Sequence, residues 1–286
     1  MNLKNIGKVA VLFMALPFLA VGADAAKAAE AQKLNDQAVA LMQKGDLAGA
    51  LQGFQNALKA DRTCLDAVHN LGKLLIVGKD YANARKLLQA SYSLNPQDAG
   101  IQIQLAQLAA LENKEKEYRA WIGELAKKKD IELLKSLSVQ LDRQGSSAAA
   151  DVAVDAALLQ DPNDAEAWFN KGLVAQGRKN WMAAAGCYRK STDLNPRNAD
   201  AWVNLGNMCD NAGKPEEALV CYEKALAVEA KPLTQYSVAR KVVFKDPRRG
   251  LDLLKAAMRG KGPGVAEART LMAKLAEAAN KAGGAK

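Results

Sequence analysis

The chain has one histidine, His69, in 286 residues. That scarcity excludes any site built on two imidazoles, including zinc sites of the HExxH type. A Ser-His-Asp or Cys-His arrangement would have to use His69, and no G-x-S-x-G accompanies it. No C-x-x-C-H occurs, which excludes covalently attached haem. Four cysteines are too few for a disulfide-built scaffold. Gly72 and Gly78 flank a short apolar run before Lys79, but the spacing is wrong for a phosphate loop and Asp80 stands where a Ser or Thr is needed. The carboxylates are numerous but scattered over expected helical surfaces, where solvated charge explains them. No catalytic residue, metal site or cofactor site is assigned, and the expectation is a protein without enzymatic activity.

Aromatic residues make up only 5% of the chain, while hydrophobic residues make up 49% and charged residues 25%. That composition supports a large core and argues against wholesale disorder. Few aromatics with abundant alanine favour closely packed helices over a β-sandwich. The length allows one or two ordinary domains or one elongated array.

Residues 1–23 begin with Lys4 and Lys8, continue through an apolar run from Val9 to Val21, and end in Gly22 and Ala23. This is the pattern of a cleavable secretory signal, and the apolar run falls short of the roughly 20 residues a membrane span needs. No cysteine follows the run, which argues against a lipoprotein. The expected location is periplasmic or secreted. Charge is uneven along the chain. From Lys231 to Lys286 there are 13 basic and 4 acidic residues, whereas from Asp24 to Ala230 there are 25 basic and 27 acidic. The C-terminal fifth carries the positive balance.

A period of 34 residues organises most of the remainder. Trp168 and Trp202, Gly172 and Gly206, Ala184 and Ala218, and Tyr188 and Tyr222 are each separated by that interval. Leu71, Gly72, Ala84, Leu88, Ser91 and Pro96 share the same phases earlier, and Ala38, Gly45, Ala50, Phe54 and Ala57 begin the series. A fixed period of this length marks a stacked array. Within each unit the apolar and small residues recur at spacings of three and four, so they share helical faces. Gly72, Gly172 and Gly206 are expected to oppose Ala84, Ala184 and Ala218 where two helix backbones approach. Gly45, Gly145 and Gly213 are expected to end first helices in the left-handed conformation. Pro96, Pro162 and Pro196 are expected to follow second helices.

The runs AWFNKG (167–172) and AWVNLG (201–206), with the later alanine, aromatic and small residue at regular offsets, resemble the tetratricopeptide repeat. The resemblance covers about residues 31–260. It implies an all-α solenoid, a right-handed superhelix of about seven helix pairs closed by a C-terminal end helix. Repeats are placed near residues 31, 65, 99, 131, 165, 199 and 233. A linker is expected at 24–30 and a basic, alanine-rich end helix and tail at 261–286. The third repeat is two residues short, with Tyr118 in place of a small residue, and the seventh is degenerate, with Pro247 in its turn.

Such arrays bind a partner segment in a groove lined by first helices. By resemblance the groove positions include Gln32, Asn35, Asp66, His69, Asn70, Lys73, Lys135, Asp142, Glu166, Phe169, Asn170, Asn204, Asn207, Asp210, Lys241 and Phe244. Asn70, Lys73, Phe169, Asn170, Asn204, Asn207, Asp210 and Lys241 are the partner-binding candidates. An asparagine amide both donates and accepts, so Asn70, Asn170 and Asn204 can hold a partner backbone or tie repeats together. Phe169 and Leu173 stand where a carboxylate clamp would need polar groups, so that specificity is not expected. Arg240, Lys241, Lys245, Arg248 and Arg249 form a basic patch. A solvated face and an anion contact both fit it.

Cys187 and Cys221 share a phase and Cys209 lies between them, so Cys209–Cys221 or Cys187–Cys209 bridges and simple small core residues all remain open. The reading that follows is a periplasmic, non-enzymatic adaptor. It holds a segment of another envelope protein, in complex assembly, secretion or surface appendages. The alternative is anion-dependent attachment to membrane or cell-wall polymer through the basic end. Nucleic acid is not an expected partner, and self-association is left open.

Overall fold

Alanine, leucine and lysine lose little side-chain freedom in a helix, and they are abundant in this chain. The computed structural model describes residues 25–283, and among these there are fifteen helices and no strand. They are α1 Ala25–Gln43, α2 Leu47–Ala60, α3 Leu65–Val77, α4 Tyr81–Leu94, α5 Ala99–Leu111, α6 Glu115–Ala126, α7 Ile131–Arg143 and α8 Ser147–Gln160. Then come α9 Ala165–Gly177, α10 Trp181–Leu194, α11 Ala199–Asn211, α12 Pro215–Val228, α13 Pro232–Val242, α14 Pro247–Arg259 and α15 Val265–Gly283. The signal-like segment, 1–23, lies outside the described residues. The stretch expected to be a linker, 24–30, is instead helical from Ala25 onward. Its sequence, AAKAAE, is rich in strong helix formers and contains no glycine or proline to stop it.

The chain divides within α8 into two compact units, residues 1–152 and 153–286. Each is a solenoid of helical hairpins. In the first unit, α3 touches both α1 and α5, and α5 touches α7. The odd-numbered helices therefore line one side of the stack. Phe54, Leu71, Leu75, Leu87, Leu88, Ile101 and Leu105 fill its core. Helix α5 is the most enclosed, burying Ile101, Gln102 and every residue from Gln104 to Ala110. Its glutamines are housed by hydrogen bonds. Gln104 Nε2 donates to the His69 carbonyl (3.0 Å), and Gln107 Nε2 donates to Gln140 Oε1 (2.8 Å). The missing pair of residues in this repeat comes out of α6, which has 12 residues where α4, α10 and α12 have 14.

The second unit packs α9 on α10, α11 on α12 and α13 on α14, with α15 across α13 and α14. Tyr188, Trp202, Leu205, Met208, Tyr222 and Val238 belong to its core. A Cβ on Gly172 would lie 2.5 Å from the Tyr188 ring, and a Cβ on Gly206 would lie 2.5 Å from the Tyr222 ring. The expected glycine–alanine opposition is thus corrected. The nearest atoms to each glycine are those of a flat aromatic ring, which needs a surface without a side chain. At Gly72 the same space is taken by the Gln104 amide and Leu88. In the fourth repeat Ser138 stands at the glycine phase, and its hydroxyl donates to the Ala150 carbonyl at 2.9 Å.

Turn geometry repeats more strictly than turn sequence. Positive φ occurs at Gly45, Gly145 and Gly213, as expected, but also at Lys79, Asn113 and Lys179 in the other turns between paired helices. In each, the next residue's N–H reaches back to a carbonyl five residues earlier, for example Asp80 to Leu75 (2.9 Å) and Lys214 to Cys209 (2.9 Å). This is the Schellman closure, and it needs the left-handed conformation whatever residue stands there. Asp98, Asp130, Asp164 and Asn198 then cap the incoming first helices with side-chain bonds of 2.7–3.0 Å. Cys64 occupies the same place before α3 and makes no cap bond.

Proline carbonyls carry another repeated tie. Trp168 Nε1 donates to Pro162 (2.8 Å), Trp202 Nε1 to Pro196 (2.9 Å) and Gln102 Nε2 to Pro96 (2.8 Å). Pro247, read as a sign of degeneracy, is the first residue of α14 behind the cap Asp246. Proline is favoured there because that N–H has no helical partner to lose.

Candidate functional site

The sequence-derived candidates fall in both units. In the first unit, Asn70 Nδ2 donates to Asn35 Oδ1 at 3.0 Å, and Asn35 is itself buried. This amide ties α3 to α1. His69 Nε2 lies 2.8 Å from Asp98 Oδ1, the same oxygen that caps α5. Gln32 donates to Asp66 Oδ2 at 3.2 Å. Lys135 is 5% exposed and pairs with Glu132 at 2.7 Å, and Asp142 accepts from Ser147. Lys73 is exposed on α3. Most candidates in this unit therefore join neighbouring helices, whereas Lys73 has no such tie among the described residues.

The second unit differs. Asn170 and Asn204 sit at the same place on α9 and α11, the first buried and the second half-buried. No tie like Asn70–Asn35 holds either amide among the described residues. Phe169, half-buried beside Asn170, meets Tyr188 with ring centroids 5.8 Å apart. Further along, Asn207, Asp210, Arg240 and Lys241 converge around the Tyr222 hydroxyl. Tyr222 Oη lies 2.9 Å from Asp210 Oδ2 and 2.8 Å from Asn207 Oδ1, and Arg240 donates to it at 2.5 Å. Arg240 also bonds Asp210 Oδ2 at 2.7 Å, and Lys241 bonds Asp210 Oδ1. Burial pushes the Tyr222 phenol well above its ordinary pKa, with the Asp210 carboxylate adding to the rise and the Arg240 charge opposing it. The phenol is a neutral hydrogen-bond relay, and the cluster joins α11, α12 and α13.

The basic patch consequently splits. Arg240 and Lys241 turn inward on Asp210, and Arg249 pairs with Glu223 at 3.0 Å. Lys245 and Arg248 remain exposed. Lys127, Lys128 and Lys129 are also individually employed. Lys127 pairs with Glu124 (2.6 Å), Lys128 donates to the Gln97 carbonyl (2.8 Å), and Lys129 takes positive φ.

The cysteines are free thiols. Cys187, Cys209 and Cys221 are buried. Burial pushes the Cys221 thiol up to about 11, and the neighbouring Cys209 adds to the rise. Among the described residues no group of three His, Cys, Asp or Glu side chains could hold a metal ion, and no helix is long and apolar enough to cross a membrane.

Comparison with known proteins matches two stretches, residues 35–99 and 199–231, to family models described as the tetratricopeptide repeat. No curated protein matches the chain. Among solved structures, a tetratricopeptide repeat protein from Parabacteroides merdae is 15% identical with a TM-score of 0.46, over 85% of this chain and 98% of that one. A MamA fragment from Desulfovibrio magneticus is 16% identical with a TM-score of 0.39, over 70% of this chain and 95% of that one. An O-GlcNAc transferase mutant from Thermobaculum terrenum is 25% identical with a TM-score of 0.41, over 45% of this chain and 26% of that one.

Proposed function

Because this chain is a tetratricopeptide-repeat protein, we propose that it is a non-catalytic adaptor whose second unit holds an extended segment of a partner protein along α9 and α11. Repeats of this family serve generally as protein-interaction scaffolds. The observation that carries the reading here is the contrast between asparagines of one phase. Asn70 is spent on Asn35, whereas Asn170 and Asn204 stand one repeat apart without such a tie. A peptide backbone alternates donors and acceptors, and an amide can meet either. Phe169 supplies apolar contact next to them. The binding is stoichiometric, and rigid helices keep its ordering cost low.

The proposed setting is the bacterial envelope, after export directed by residues 1–23. The partner is then another envelope protein, in assembly, secretion or a surface appendage. Sequencing the N-terminus of protein recovered from an envelope fraction tests the export, which predicts cleavage after Ala23 or Ala25. An uncleaved cytosolic protein would contradict it.

The groove is tested by crosslinking in the native cell with wild type and Asn170→Ala/Asn204→Ala. Loss of one or more protein crosslinks in the variant, with helicity and melting unchanged, is the expected result. Identical crosslinks at identical yield would remove this surface from consideration.

A further inference from the structure

The turn between α13 and α14 presents an apolar ring inside a cationic rim. Phe244 is 78% exposed, while Val242 and Val243 just before it are 6% and 4% exposed. Val243 is pinned beneath α14: a Cβ on Gly250 would lie 2.5 Å from the Val243 Cα. Phe244, the next residue, stands outside this close contact, exposed at the turn. Lys245 and Arg248 flank it, both exposed and without an ion pair among the described residues. The Asp246 carboxylate between them accepts from the Arg249 backbone N–H at 3.0 Å as the cap of α14. Helix α14 buries Gly250, Leu254 and Ala257. Its outer stripe therefore carries Arg248, Lys255 and Arg259 at spacings of seven and four, with Asp252 as the single acidic interruption.

We propose that this tip docks on an anionic lipid surface, with Phe244 entering the headgroup boundary and Lys245 and Arg248 meeting the phosphates. A soluble polyanion would reward the charges alone and leave the ring in water. A bilayer rewards both, since basic residues near an anionic leaflet and an inserted apolar side chain contribute separately. The surface belongs to α13 and α14 and is independent of Asn170 and Asn204.

The test uses the full chain carrying Phe244→Trp, with the wild-type tryptophans as background. Vesicles of phosphatidylcholine with and without phosphatidylglycerol are compared, with brominated chains as the quencher. The proposal expects extra quenching and a blue shift of the added indole on anionic vesicles only. It also expects Lys245→Glu/Arg248→Glu in that background to lower the partition roughly fivefold or more per charge. The local probe keeps any membrane affinity of residues 1–23 from mimicking the result. These positions are exposed, so circular dichroism should show the variants folded. Absence of extra quenching on anionic vesicles overturns the proposal. An equal spectral shift with soluble polyphosphate also overturns it and assigns the patch to anionic polymer.

Discussion

Lys179 offers a direct test of the repeat turn. Its φ is +59°, and its backbone N–H bonds the Gln176 carbonyl at 2.9 Å, a bond that glycine would keep. The side chain is exposed, so Lys179→Gly removes little packing. Left-handed backbone costs an L-residue about 1–2 kcal/mol, and glycine's greater freedom in the unfolded chain returns about 0.5–1 kcal/mol of that. The expected net gain is about 0.5–1 kcal/mol. Lys79→Gly should gain as much, and Asn113→Gly less, because asparagine tolerates this conformation. The reverse substitution isolates the backbone: nothing lies within 4 Å of a Cβ built on Gly213, so Gly213→Ala should cost about 1 kcal/mol through φ alone. The sites lie in separate turns, so their effects should add. Urea denaturation and hydrogen exchange of the flanking helices measure the change, since repeat arrays respond locally. A destabilising Lys179→Gly together with a neutral Gly213→Ala would refute the argument that the array imposes this turn.

Gly206→Ala drives a methyl into the Tyr222 ring and should cost about 1–3 kcal/mol by overpacking, read from the denaturation midpoint. Adding Tyr222→Leu should recover part of that loss, and failure to do so would mean the contact is not the cause. Cys64→Asp supplies the cap that α3 lacks and should stabilise by about 1 kcal/mol. An unchanged midpoint would show that the α3 end is already satisfied. Cys221, with its pKa raised to about 11, should resist alkylation at pH 8 in the folded protein and react once it is denatured. Because the fold holds this thiol protonated while the unfolded chain ionises near pH 9, stability should fall between about pH 9 and 11. Rapid labelling of native Cys221 at pH 8 would contradict that burial.

Much of the architecture was legible in the residues. Repeated apolar and small positions imply paired helices, since only a stack can bury faces that recur at that interval. The tryptophans and prolines recur at matching phases in the sequence, but the bond between indole N–H and proline carbonyl appears only with the backbone in place. Gln102 makes the same bond, and glutamine's ordinary surface role gave no hint of it. The left-handed turns were visible where glycine marked them. Lys79 and Lys179 hid the others, because the conformation is imposed by the six-residue closure and not by the side chain.

The site was less legible. Asn70, Asn170 and Asn204 look alike in sequence, yet one is consumed by Asn35 and two are not, because hydrogen-bond supply depends on what the preceding helix presents. Arg240 and Lys241 counted toward a basic patch, but Asp210 lies thirty residues earlier and draws them inward.

Period, helical phase and composition are local properties, and they were enough to establish helix pairs and the stacked surface that they present. Which polar groups on that surface are free was decided by tertiary packing, where each donor finds or fails to find a partner from a neighbouring repeat. Phe244 shows the same division: its identity is in the sequence, but its exposure at the turn between α13 and α14 appears only in the folded chain.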